Sequence, residues 1–267
     1  FSDKYGKMET RITEKEETAN KQSRGSTRTK SRYCRPGIMP GLFGRHLIDK
    51  TIFLSLSDLD IGLGKPFESV VGVPMDLDQQ KAYKKMEAKL SEALRTMLAN
   101  GDKRLLGKMV QSLLAYPDKP YGWESIGYYE RGEGGGQGNW ISIVEPQNLN
   151  PNTIRPKEAE LVRIISAEKA MGRQVWVYVQ LTDRRDVMER LKVIMEQSGV
   201  NCKLLRSSVN IEKREEWIQK NAPGMDVIIS HPMLVQTGLE LFDTVSGRYN
   251  FTTLIFYETG YNQFTMR

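Results

Sequence analysis

Four clusters of hydroxyl, amide and charged residues recur through the second half of the chain: Gln180-Leu181-Thr182, Arg206-Ser207-Ser208, His231 to Glu240, and Glu258 to Gln263. Placed beside helix N-termini, such side chains act with backbone N–H groups to hold phosphate oxygens. Taken singly, Thr182 and Ser208 read as helix caps. The functional argument rests on convergence, because each cluster directly follows a short apolar run. His46 and His231 are the only histidines, and His231, ahead of Pro232, reads as structural. No base or nucleophile stands out, so a small-molecule transferase is disfavoured.

The elements that would position these clusters follow from pattern. Val175–Val179, Cys202–Leu205, Asp226–Ser230 and Thr252–Tyr257 are short and rich in β-branched and apolar residues, as strands buried on both faces are. Helical stretches separate them. Pro156 opens one, with Leu161, Ile164, Ile165 and Glu168 on one face and Gly172 at its end; Thr182 or Asp183 caps the next, with the stripe Val187, Leu191, Ile194 and Met195. Asn210 caps a third. Strands joined by helices require crossovers, which predicts an α/β fold with a parallel sheet covered by helices on both faces. Ligands bind such sheets where strands end and helices begin.

Upstream, Tyr83, Met86, Leu90, Leu94, Met97 and Leu98 predict a helix capped by Asp76 or Asp78, and a second helix spans Lys103–Ala115. Pro117 to Pro156 reads as a long loop or small insertion containing the run Gly132 to Gly138. No Gly-Lys-Ser/Thr follows that run, so it makes a poor phosphate cradle. Residues 1–71 read as loop-rich, 72–155 as a helical connector and 156–267 as the parallel α/β lobe.

The chain has 267 residues, net charge +6 and only Cys34 and Cys202, which predicts neither a disulfide framework nor a structural metal. No apolar run is long enough to span a bilayer, and a cytoplasmic protein is expected. Phe1 to Arg35 holds ten Lys/Arg against five Asp/Glu, and Lys21, Arg24, Arg28, Lys30, Arg32 and Arg35 follow one another without an acid between them. The segment reads as a solvated linker or as a source of mobile phosphate contacts.

In order along the chain, several stretches resemble motifs of superfamily-two helicases of the Swi/Snf-like, DEAD/DEAH type. Val175 to Thr182 resembles motif IV, and Leu204 to Ile218, with Ser207, Ser208 and Arg214, resembles the following strand, turn and helix. Asp226 to Ser230 with Gln236 to Leu241 resembles motif V, and Thr253 to Asn262 the strand leading into motif VI. Phe53 to Leu59 and Val71 to Tyr83 resemble the passage from the first lobe into the helical connector. Two departures stand out: Leu234, Val235 and Gln236 replace the family's Ala-Gly-Gly, and Glu240 replaces Asp or Asn.

The resemblance implies a RecA-like C-terminal lobe that grips DNA, or RNA, through Gln180, Thr182, Ser207, Ser208, Ser230 and Thr237. Gly238 and Glu240 would face the nucleotide. ATP and Mg would serve the full-length parent, with none bound by this chain alone, because the sequence has no Walker lysine motif and no Asp-Glu-x-His. The expected partners are DNA and a missing N-terminal ATPase lobe, the chain being expected to stop just before motif VI. No catalytic residue and no metal ligand are assigned. The rival reading is a non-catalytic RecA-like adaptor for nucleic acid or protein.

Overall fold

Apolar residues follow one another in four short runs, and in the computed structural model these runs build one parallel sheet. The structure describes residues 6–15, 27–38, 40–52, 54, 58, 67–131, 137–183, 185–235 and 241–258, with the backbone alone at 6–15, 27–38, 131 and 137. The chain divides into two compact units: Phe1–Val71 with Tyr129–Ile141, and Gly72–Tyr128 with Ser142–Arg267.

In the first unit, Gly6–Lys15 (β1) and Thr27–Ile38 (β2) pair antiparallel, with Lys7 opposite Arg35 and Lys15 opposite Thr27. A short helix, Pro40–His46 (α1), follows. The loop-rich reading of this region is therefore corrected. Its strands went unseen because Thr, Ser, Lys, Arg and Glu fill them and leave no alternating apolar face.

The second unit begins with Leu77–Ala99 (α2), whose first free N–H groups are capped by Asp76, accepting from the Gln79 amide at 2.9 Å. Its buried face is Gln79, Ala82, Met86, Leu90, Leu94 and Met97, while Leu98 lies outside it at 43% exposure. Leu106–Ala115 (α3) follows, and Tyr116 and Trp123 complete an apolar cluster with α2. Where the sequence suggested a long loop or small insertion, Ile126–Arg131 (β3) and Gln137–Val144 (β4) pair as a two-stranded sheet, of which Tyr129–Ile141 counts with the first unit. Gly132 to Gly136 between them lie outside the described residues.

The lobe runs through Pro156–Ala170 (α4), Gln174–Tyr178 (β5), Met188–Gln197 (α5), Cys202–Leu205 (β6), Arg214–Asn221 (α6), Val227–Ser230 (β7) and Phe251–Phe256 (β8). The strand order is β6-β7-β5-β8, and each pairing is parallel. Val175, Val177, Val227 and Ile229 pack against Leu161 and Ile165 of α4 and Met188, Leu191 and Met195 of α5. On the opposite face, Trp176 and Ile228 pack with Ile218 and Ala222 at α6 and with Phe251. The fold is thus mixed α/β, a four-stranded parallel sheet flanked by helices. Among the described residues no helix is long and apolar enough to cross a membrane.

Ile229 is fully buried at the centre of one face, whereas Val193 of α5 is 48% exposed. Ile229→Ala should lower stability by about 2–5 kcal/mol, and Val193→Ala should change it by no more than about 0.5 kcal/mol. Urea-denaturation midpoints of the two variants against the parent would check the contrast, and equal shifts would contradict this core assignment.

Candidate functional site

The two edges of the parallel sheet differ in chemistry. At the edge where strands begin, charges are paired off: Lys169 with Asp226 at 2.8 Å, and Arg173 with Glu168 at 2.7 Å, which also accepts from the Thr253 hydroxyl at 2.6 Å. Asp226 further accepts from the Asn201 amide. That edge is held together by its own side chains.

The edge where strands end is gathered by two arginines. Arg206, just after β6, reaches Asp186 at 2.5 Å and Glu189 at 2.8 Å, which ties it to the loop after β5 and to the first turn of α5. Arg214 donates from Nη1 to the Leu234 carbonyl at 3.1 Å in the loop after β7. Backbone bonds from Val179 to Ser230 and from Tyr257 to Tyr178, both 2.9 Å, carry the ladder past the strand ends. The loops after β5, β6 and β7 therefore meet.

Within that arrangement Gln180 and Thr182 are half-buried, and Ser207 and Ser208 are exposed. Thr182 caps no helix, because α5 begins only at Met188, whose N–H donates to Asp186 at 2.8 Å. This corrects the expected start near Thr182 or Asp183. Ser208 caps none either: a short 3-10 turn, Ile211–Lys213, precedes α6, and neither Asn210 nor Lys213 supplies a side-chain cap. The capping explanation for both hydroxyls is thereby removed.

Ser230 is also corrected. Read from the sequence as a phosphate contact, it is fully buried, and its hydroxyl accepts from the Trp176 indole N–H at 2.9 Å. It orders the strand end and is not displayed at the edge. Thr237, Gly238 and Glu240 lie outside the described residues. His231 accepts from the Met233 amide at Nδ1, 3.2 Å, and burial lowers its pKa, which suits a neutral structural imidazole. Burial pushes the Cys202 thiol up to about 12, which leaves it unreactive. Among the described residues no group of three His, Cys, Asp or Glu side chains is placed to hold a metal.

A cluster of buried charge beside the β5 and β8 ends was not legible in the sequence. Lys157 of α4 pairs with Asp118 at 2.5 Å and sits 4.4 Å from the Tyr257 ring centroid. Glu258 accepts from the Gln180 amide at 2.5 Å through Oε2, while its buried Oε1 has no hydrogen-bond partner among the described residues. Burial first, then the nearby Asp118 carboxylate, push the Glu258 carboxyl up to about 7, against the lowering effect of the Gln180 bond and Lys157. Burial also raises Asp118 despite its lysine. Asp118 stands between Pro117 and Pro120 with no local pattern to flag it; only the polar residue directly after the β8 run gave a signal, at Glu258.

The groups this edge presents are hydrogen-bonding and uncharged: the exposed hydroxyls of Ser207 and Ser208 and the half-buried Gln180 amide and Thr182 hydroxyl. The one arginine among them, Arg206, is already engaged by two carboxylates. No protein-family model and no curated protein matches this chain.

Glu258 generates a pH prediction. Its folded pKa of about 7 lies above the ordinary 4.5, so the folded state binds more protons between those values. The stability this group contributes, up to about 3 kcal/mol, should therefore be fully present at and below about pH 4.5, be lost as pH rises through 7 and then level off. Glu258→Gln should raise the urea midpoint at pH 8 relative to the parent and give little gain at pH 5. A difference independent of pH would show that Glu258 does not titrate in this range.

Proposed function

We propose that this chain is the second, RecA-like motor lobe, with its connector, of an ATP-dependent DNA helicase or translocase. The observation that carries this reading is the edge itself. Loops after three parallel strands are tied together by Arg206 and Arg214, and the hydroxyls of Thr182, Ser207 and Ser208 are left off the helix caps.

In this reading Gln180, Thr182, Ser207, Ser208 and Thr237 hydrogen-bond the phosphodiester backbone of one strand, and buried Ser230 stiffens the end of β7 beneath them. Backbone contacts carry no base information, so binding is insensitive to sequence. Gly238 and Glu240 face the nucleotide. ATP and Mg are held chiefly by a partner lobe carrying the Walker lysine motif and Asp-Glu-x-His, neither of which this sequence contains. Closure of the two lobes on ATP then moves the gripped backbone. The sheet flanked by helices and the order of the motif-like stretches support the assignment, with RNA as the alternative track.

The test is direct binding of this chain to fluorescent single-stranded DNA. Thr182→Ala and Ser208→Ala each remove one hydrogen bond to an anionic phosphate oxygen and should weaken binding by about 10- to 100-fold, alike for unrelated sequences. Full affinity in both variants would overturn the proposed grip.

A further inference from the structure

We propose that the β1–β2 ribbon is a second nucleic-acid contact, a cationic two-stranded arm that lies along the major groove of duplex DNA. It shares with the preceding reading only the choice of DNA as partner, and it concerns a different unit of the chain.

The argument starts from register. Residues paired across antiparallel strands share a face, and faces alternate along each strand. One face therefore carries the pairs Lys7 and Arg35, Glu9 and Tyr33, Arg11 and Ser31, Thr13 and Thr29, and Lys15 and Thr27. The other carries Met8 and Cys34, Thr10 and Arg32, Ile12 and Lys30, and Glu14 and Arg28. The first face holds four cations against one acid and no aliphatic residue. The second holds three cations against one acid, together with Met8 and Ile12. Over both, seven Lys/Arg stand against Glu9 and Glu14, a net of +5 in 22 strand residues.

Such a ribbon has no apolar face with which to build a core. A two-stranded sheet without one is marginal in water by itself, so a polyanion that neutralises its charge also stabilises its fold. Dimensions favour duplex DNA. Ten residues of β1 extend about 33 Å, close to one turn of B-DNA at about 34 Å. A two-stranded ribbon fits the B-form major groove, about 12 Å wide, whereas the major groove of A-form RNA is too deep and narrow to admit it. Lys7, Arg11 and Lys15 recur at every fourth residue, which repeats a cation on one face at intervals of about 14 Å. The aliphatic-free face, with its Ser and Thr positions between the cations, is assigned to the groove.

The experiment uses the full chain and a duplex DNA of mixed sequence, titrated across a salt series. Four substitutions neutralise the first face: Lys7→Gln, Arg11→Gln, Lys15→Gln and Arg35→Gln. They should reduce the slope of log affinity against log salt by up to about 3.6, following roughly 0.9 for each phosphate no longer neutralised, and weaken binding at low salt at least ~10-fold. Arg28→Gln, Lys30→Gln and Arg32→Gln on the second face should lower the slope by less than half as much. The near-ultraviolet circular dichroism of the four tryptophans, none of which lies in the ribbon, reports that the rest of the chain remains folded in every variant.

An unchanged slope in the four-fold variant overturns the proposal. So does an equal loss on duplex RNA or on vesicles containing phosphatidylserine, since either would mark a general polyanion effect. Thr182→Ala and Ser208→Ala, run alongside on single-stranded DNA, separate the two readings: the ribbon can fail while the sheet edge still grips, and the reverse.

Discussion

Glu158 is 2% exposed, and burying a carboxylate that far from water is costly unless cations and N–H groups surround it. It has them. The Arg155 amide donates to it at 2.8 Å and the Arg190 guanidinium pairs with it through both Nε and Nη2. Arg155, itself 7% exposed, then turns its guanidinium to Asp76 at 2.8 Å, and Asp76 caps α2. Burial works against the Asp76 charge, but the Gln79 amide and Arg155 outweigh it and hold the carboxyl below its ordinary range. One chain of charges thus runs from the first connector helix through the start of α4 to α5. Arg190 also donates to the carbonyls of Pro151 and Thr153, which fixes the strand of chain leading into α4.

That chain of charges sets where the connector meets the lobe, and the site depends on it. Asp118 and Lys119 lie in the turn after α3; Lys119 donates to the Asp186 carbonyl at 3.2 Å, and Asp186 is the residue that receives Arg206. Arg185 stacks 3.7 Å from the Trp123 ring centroid and donates to the Gln111 carbonyl. The loop after β5 is therefore shaped as much by the connector as by its own strand. Gly72–Tyr128 and Ser142–Arg267 fall within one compact unit, so a change in the loop is felt by α2 and α3 as well as by the sheet.

What the sequence made legible follows the physics of burial. β5 and β7 stood out because strands buried on both faces are apolar almost throughout, β6 and β8 as short runs still rich in apolar residues, and α2 because its buried residues recur at helical spacing. The polar strands β1 and β2 carry no such imprint, and the glycine run beside β3 and β4 hid their pairing. At the site, the loops after β5, β6 and β7 were readable because each directly follows a strand, while the fourth polar stretch, beyond Glu258, lies outside the described residues. Their fastening was not: Arg206 to Asp186 and Lys157 to Asp118 join residues 20 and 39 apart, and no local period encodes a contact between separate elements. Ser230 misled for a related reason, since only the fold brings the Trp176 indole to its hydroxyl.

The contrast between the two proposed contacts has a mechanical sense. Arg206 is engaged by Asp186 and Glu189, so the sheet edge offers hydrogen bonds from uncharged donors, each worth about 1.5–3 kcal/mol to a phosphate oxygen. A few bonds of that size, with no cation of their own to hold the phosphate, are made and released readily, as a grip that steps along a backbone requires. The ribbon, with its net of +5, would act through counterion release, which is sequence-independent and persists while a protein slides along a duplex. A motor needs both kinds of attachment, one that lets go at every step and one that keeps the track nearby. Strong charge at the stepping edge would defeat the first purpose, and that is the physical reason to expect neutral hydroxyls there and the cations elsewhere.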